Sequence, residues 1–111
     1  MAKTRSRSIG DVGESIAAQF LIDRGLEIVD RNVFVDGDEI DIIYRGEDGL
    51  IAVEVKTVTN GGDPLESFTE VKMQRVRRAS SGYGRPVRAI DAVGVSIGES
   101  GVEVRWLRGV V

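Results

Sequence analysis

Asp41, Glu54 and Lys56 are two carboxylates and an ammonium on neighbouring apolar runs, EIDIIYR and LIAVEVKT, separated by Gly46-Glu47-Asp48-Gly49. Alternating apolar runs around a turn of this composition read as a β-hairpin. Strand side chains alternate with period two. Glu39, Asp41, Ile43 and Arg45 therefore share one face of the first strand. Leu50, Ala52, Glu54, Lys56 and Val58 share one face of the second. A turn symmetric about Glu47-Asp48 sets Asp41 opposite Glu54 and Glu39 opposite Lys56. Like charges directly across a ladder are destabilising, and two close carboxylates resist ionising together. A divalent cation removes both objections, since Mg²⁺ is commonly held by one or two carboxylates. The spacing predicts a metal site on Asp41 and Glu54 with Lys56 beside it. A solvated face carrying a Glu39–Lys56 salt bridge is the competing reading, and a one-residue register slip would move every side chain to the other face.

What is missing narrows the chemistry. The chain has no His and no Cys. Imidazole bases, Ser-His-Asp triads, thiolate nucleophiles, disulfides and His- or Cys-bound zinc are excluded. Hydrolysis would have to use carboxylates, Lys, Tyr or a metal-activated water. The 111 residues are 41% hydrophobic and 30% charged, a globular balance for one domain. No run of about 18 apolar residues marks a membrane span, and the basic N-terminus lacks the apolar core of a secretory signal. The expectation is a cytoplasmic protein with no membrane partner.

The net charge of −3 argues against a nucleic-acid partner until its distribution is followed. Residues 11–70 hold fifteen acids and four basic residues. Residues 71–90 hold Lys72, Arg75, Arg77, Arg78, Arg85 and Arg88 and no acid. Acids to hold a cation beside bases to hold phosphates suit a phosphodiester enzyme. A solvated basic helix face explains the same block without function. Lys72, Arg75, Arg77 and Arg78 are the candidate nucleic-acid contacts.

The elements that must position these groups follow in order. Residues 1–8 read as a mobile basic tail, and residues 9–111 as a single domain. The spacing of Val12, Ile16 and Phe20, with Ala17 and Leu21, predicts a helix from Ile9 to Arg24, stopped by Gly25. Glu14 borders its buried stripe; a first-turn acid suited to the helix dipole is the simpler account of it. Leu26–Val35 reads as a strand that forms an antiparallel meander with the hairpin. Asn60–Pro64 is a loop. A second helix begins between Pro64 and Thr69 and runs to Ser81, with Phe68, Val71, Val76 and Ala79 as its apolar stripe. Val87–Ile97 and Val102–Leu107 close the chain as strands. The order α-β-β-β-α-β-β implies an α/β domain with a mixed sheet flanked by helices.

Asp41 followed by Glu54-Val55-Lys56 resembles the PD-(D/E)XK nuclease signature. More closely, the chain is similar to the YraN-like family of small bacterial proteins, restriction-endonuclease-like in fold. The matching residues are Gly13-Glu14, Ala17, Leu21, Gly25, Arg31-Asn32, Glu39-Ile40-Asp41, Ile43, Val53 to Thr57, Thr69, Lys72, Ala79 and Asp91 to Val93. Asp38 stands where the family usually has Gly, Val58 where Arg often follows, and the Arg105–Arg108 ending differs. The resemblance implies a metal-dependent nuclease acting on DNA, including branched or damaged DNA. Asp41, Glu54 and the Val55 carbonyl would hold Mg²⁺ or Mn²⁺. Lys56 would orient the attacking water, Glu14 would add a ligand from the first helix, and Glu39 is a further acid. Small nucleases that cut two strands often work as homodimers, but no interface is legible here. A non-catalytic nucleic-acid-binding or protein-interaction module that keeps the fold is the alternative.

Overall fold

A computed structural model describes residues 8–110. The expected basic tail lies outside the described residues except for Ser8. Its hydroxyl caps the first helix by accepting from the Asp11 amide at 3.0 Å. Helix α1 (Ile9–Asp23) ends with the Gly25 amide on Ile22 O and the Leu26 amide on Leu21 O. This is a Schellman closure, and it needs the φ of +85° that Gly25 supplies. Strands β1 (Glu27–Val35), β2 (Asp38–Gly46) and β3 (Gly49–Val58) form the expected meander. A 3-10 turn (Pro64–Ser67) and helix α2 (Glu70–Ser81) follow, the helix capped by the Thr69 hydroxyl. Strands β4 (Val87–Gly98) and β5 (Gly101–Leu107) complete a five-stranded sheet in the order β1-β2-β3-β4-β5. Only β3 and β4 are parallel, because α2 carries the chain back between them.

Each face of the sheet is covered by one helix. On one, Ala17, Ala18 and Leu21 of α1 pack on Ile42, Tyr44, Val53, Val55, Val93 and Val95. On the other, Met73, Val76 and Ala79 of α2 pack on Ile40, Ile43, Leu50, Ala52 and Ile90. Val71, expected in that stripe, is 59% exposed; Met73, one turn before Val76, takes the core position. Among the described residues no helix is long and apolar enough to cross a membrane.

One buried carboxylate closes the chain's end. Asp91 accepts from the Tyr44 hydroxyl, from Trp106 Nε1 at 2.9 Å and from the Gly109 amide at 2.8 Å. These donors satisfy a charge that would otherwise be costly to bury, and they dock residues 106–109 on the central sheet.

Candidate metal and phosphate site

The hairpin has the register expected of a turn about Glu47-Asp48, but only in its outer part. Pairs run from Gly46↔Gly49 to Ile42↔Val53, and the ladder stops there. Asp41 and Glu54 are therefore not ladder partners, and Glu39 is paired with Phe34 of β1. Beyond Ile42 it is the Asp41 side chain that reaches β3, where its Oδ2 accepts from the Val55 amide at 2.7 Å. The face assignment also changes. Ile40 and Ile43 pack in the same core against α2, whereas strict alternation would separate them. The break falls opposite Asn32, which holds a left-handed φ of +53° in the middle of β1. Asn tolerates this conformation better than most residues.

Asn32 also organises the acids. Its Nδ2 donates to Glu14 Oε1 at 2.6 Å and to Glu39 Oε2 at 2.8 Å. Glu14, Glu39 and Asp41 each bring a carboxylate oxygen within 4.8 Å of the other two. Glu14 arrives from α1 because Gly13 lets the helix lie directly on β3. A Cβ at Gly13 would stand 1.8 Å from Thr57 Oγ1. The simple dipole account of Glu14 omits this placement.

Glu54 lies on the other side of Asp41, on the face of β3 that looks toward α2. Its Oε2 is 3.6 Å from Lys56 Nζ. Lys56 thus pairs with Glu54 within β3, and not with Glu39 as the competing reading had it. Val55 is buried and enters the site through its amide. A cavity of about 220 Å³ joins these groups. It is lined by the acids Asp38, Glu39, Asp41 and Glu54 together with the cations Lys56, Lys72 and Arg75.

The titration of the acids reflects this crowding. Burial, followed by the Glu54 charge, pushes Asp41 up to about 9. Burial also raises Glu54, against the lowering effects of Lys56 and a hydrogen bond with Asp41. Glu14 is raised by burial first, with the Glu39 charge adding to it and the Asn32 bond opposing it. The Lys56 ammonium holds Lys72 below its ordinary value. This is a group of acids short of positive charge. An octahedral shell at about 2.1 Å sets ligand oxygens about 3 to 4 Å apart, so small side-chain rotations would let Glu14, Glu39 and Asp41 share one Mg²⁺ or Mn²⁺ ion.

The four basic residues of α2 do not act as one surface. Lys72 and Arg75 line the acidic cavity. Arg78 is taken up by Asp38 at 3.1 Å, and Arg77 lines a different cavity on the far flank of the helix. The residue missed from the sequence as a functional group is Asn32. An Asn, a type depleted in strands, inside an expected strand and within the Arg31-Asn32 pair of the family resemblance, was the available signal.

The uncharacterised protein family UPF0102 matches residues 13–95, which include all of these acids and the α2 cations. A UPF0102 protein of Marinobacter nauticus is 34% identical over 100% of this chain and 98% of its own length. One from Clavibacter michiganensis subsp. michiganensis is 41% identical, covering 83% of this chain and 85% of the relative. One from Dictyoglomus turgidum is 41% identical over 70% and 68%.

Proposed function

The chain belongs to the UPF0102 family, and from that premise we propose that it is a metal-dependent nuclease hydrolysing phosphodiester bonds in DNA. The observation that carries this reading is the 220 Å³ cavity, in which carboxylates from β2 and β3 meet cations from β3 and α2, with Glu14 of α1 joined to its Glu39 and Asp41 in one cluster of carboxylate oxygens. Asp41 is the proposed central ligand of Mg²⁺ or Mn²⁺, with Glu14 and Glu39 beside it in the 4.8 Å cluster and Glu54 approaching from the cavity. A divalent cation supplies Lewis acidity and lowers the pKa of water at such a site. The chain's own groups do the rest. The Val55 amide fixes Asp41, Asn32 holds Glu14 and Glu39 together, and Gly13 brings α1 close enough for Glu14 to contribute. Lys56, placed against Glu54, orients the attacking water and faces the charge that develops on the phosphate. Lys72 and Arg75 hold the phosphate from across the cavity.

A non-catalytic nucleic-acid-binding module is the second reading. It is favoured by the partners Asp41 already has within the protein, the Val55 amide and Glu54. Cleavage of a labelled panel (linear duplex, single strand, flap, four-way junction, RNA) in Mg²⁺, Mn²⁺ or EDTA separates the two. The nuclease reading expects metal-dependent cutting that is lost in Asp41→Asn and Lys56→Ala. Absence of cutting on every substrate, with divalent ions still bound, leaves the binding module.

A further inference from the structure

A second cavity, of about 660 Å³, lies on the opposite flank of α2 from the acids. Arg77 and Ser80 of the helix line it, with Arg85 and Arg88 from the turn and first residues of β4. No carboxylate borders it, and among the described residues none of the three arginines is in an ion pair. Ser80 is 8% exposed, and its hydroxyl has no hydrogen-bond partner. A buried polar atom without a partner in a native fold needs an explanation. Three guanidinium forks without a carboxylate partner, Arg85 lying beside the Tyr83 hydroxyl, together with an unused hydroxyl are the donors that a tetrahedral oxyanion recruits.

We infer that this cavity is a phosphate-binding site that holds the backbone of the nucleic acid whose scissile bond sits in the acidic cavity. The inference rests on the nuclease reading for the second half of that statement only. The three arginines are exposed, so a lone small anion gains little from them in salt. A polymer gains from every contact at once, through release of its condensed counterions. The geometry joins the two sites. Lys72 and Arg75 occupy one flank of α2, and Arg77 and Ser80 occupy the other. A helix about 10–12 Å across separates them, which about three nucleotide steps of 3.4 Å span. One strand crossing α2 can therefore occupy both cavities.

The test measures binding alone, in EDTA, by fluorescence anisotropy of a labelled DNA duplex between 50 and 200 mM salt. Each phosphate contact contributes about 0.9 to the slope of log K against log salt. The Arg77→Ala/Arg88→Ala variant is expected to lose about two units of slope. That shrinks the affinity loss across this salt range about tenfold. Arg24→Ala, which removes a charge that rests on Phe20, should leave the slope within one unit of wild type. Ser80→Ala should fold normally, because the hydroxyl has no protein partner, and should bind severalfold more weakly. Inorganic phosphate and a nucleoside monophosphate are run as competitors, and millimolar concentrations of either should displace the duplex only weakly. An unchanged slope in the double variant overturns the inference. So does a mononucleotide that binds as tightly as the duplex, which would assign the cavity to a small anion. If the slope falls as expected but wild type cuts nothing with any cation, the phosphate site stands and the nuclease reading fails. If wild type cuts while the slope is unchanged, the reverse holds.

Discussion

Replacing Asp41 by Asn should make the protein more stable in metal-free buffer, and more so at higher pH. The carboxyl is 5% exposed and is pushed up to about 9 by burial and by Glu54. An unfolded Asp ionises near pH ~3.9. Between those two values the unfolded chain gives up the proton and the folded chain keeps it. Stability therefore falls with rising pH, by about 1.4 kcal/mol per unit for one proton. The penalty is absent below the unfolded pKa and complete above the folded one. By pH 7 it reaches about 4 kcal/mol. Asn still offers an oxygen to the Val55 amide but has no proton to lose, so a gain of about 2–4 kcal/mol is expected at pH 7. Urea unfolding followed by the fluorescence of Trp106, the single tryptophan, measures it from pH 4.5 to 8.5 in EDTA. Wild type should weaken steadily across this range. Asp41→Asn should weaken less steeply, but not be flat, because burial raises Glu14 and Glu54 as well. Mg²⁺ or Mn²⁺ at about 100 times its Kd should then return about 2.7 kcal/mol to wild type and little to the variant. Parallel pH profiles, or an Asn variant less stable at pH 7, would refute the burial argument. Equal stabilisation of both proteins by metal would refute the ligand assignment.

Three further outcomes follow from the same contacts. Gly13→Ala should destabilise by at least about 1–3 kcal/mol, seen as a lower thermal midpoint, and should weaken divalent-ion binding because α1 must lift off Thr57. Thr57→Ala should rescue only part of this loss, since the Thr57 Cβ would itself lie 2.8 Å from the new methyl. Tyr44→Phe should cost about 1–3 kcal/mol in urea unfolding by taking a donor from buried Asp91; an unchanged midpoint would show that the hydroxyl contributes nothing. Asn32→Ala and Asn32→Gly should both weaken Mn²⁺ binding about 10-fold or more in titration calorimetry. Gly should be the more stable of the two because it accepts the positive φ at lower cost.

Much of the architecture was legible because local signals agreed. The α1 boundary at Gly25 is a backbone requirement visible in the residue type; the Ser8 and Thr69 caps were not read in advance, Ser8 falling in the expected tail and Thr69 at the limit of the range for the start of the second helix. The hairpin register about Glu47-Asp48 was readable because turn length and apolar alternation both demanded it, and it holds as far as Ile42↔Val53. It fails at Asp41, where long-range contacts take over. The left-handed Asn32 is a backbone angle that no alternation rule anticipates, and the Asn32–Glu14 and Asp41–Val55 bonds join residues 18 and 14 positions apart. Asp41, Glu54 and Glu39 were found by type and spacing, and Glu14 only through the family resemblance; the Asn32 bonds that tie Glu14 to Glu39 were not foreseen. The basic block looked uniform in sequence. Helical periodicity, combined with the Asp38–Arg78 pair, divides it into residues facing one cavity, residues facing the other and one already paired.

The strands lie across the sheet in the same order as along the chain. A polypeptide emerging N-terminus first can add each strand to the free edge of those already made, with none to insert between paired neighbours. Glu14, Glu39, Asp41 and Glu54 have all emerged by residue 54, before either Lys72 or Arg75. The half-synthesised sheet therefore carries its clustered acids before α2 exists to balance them. The cations of α2 that line the acidic cavity reach it only once the second half of the chain is made.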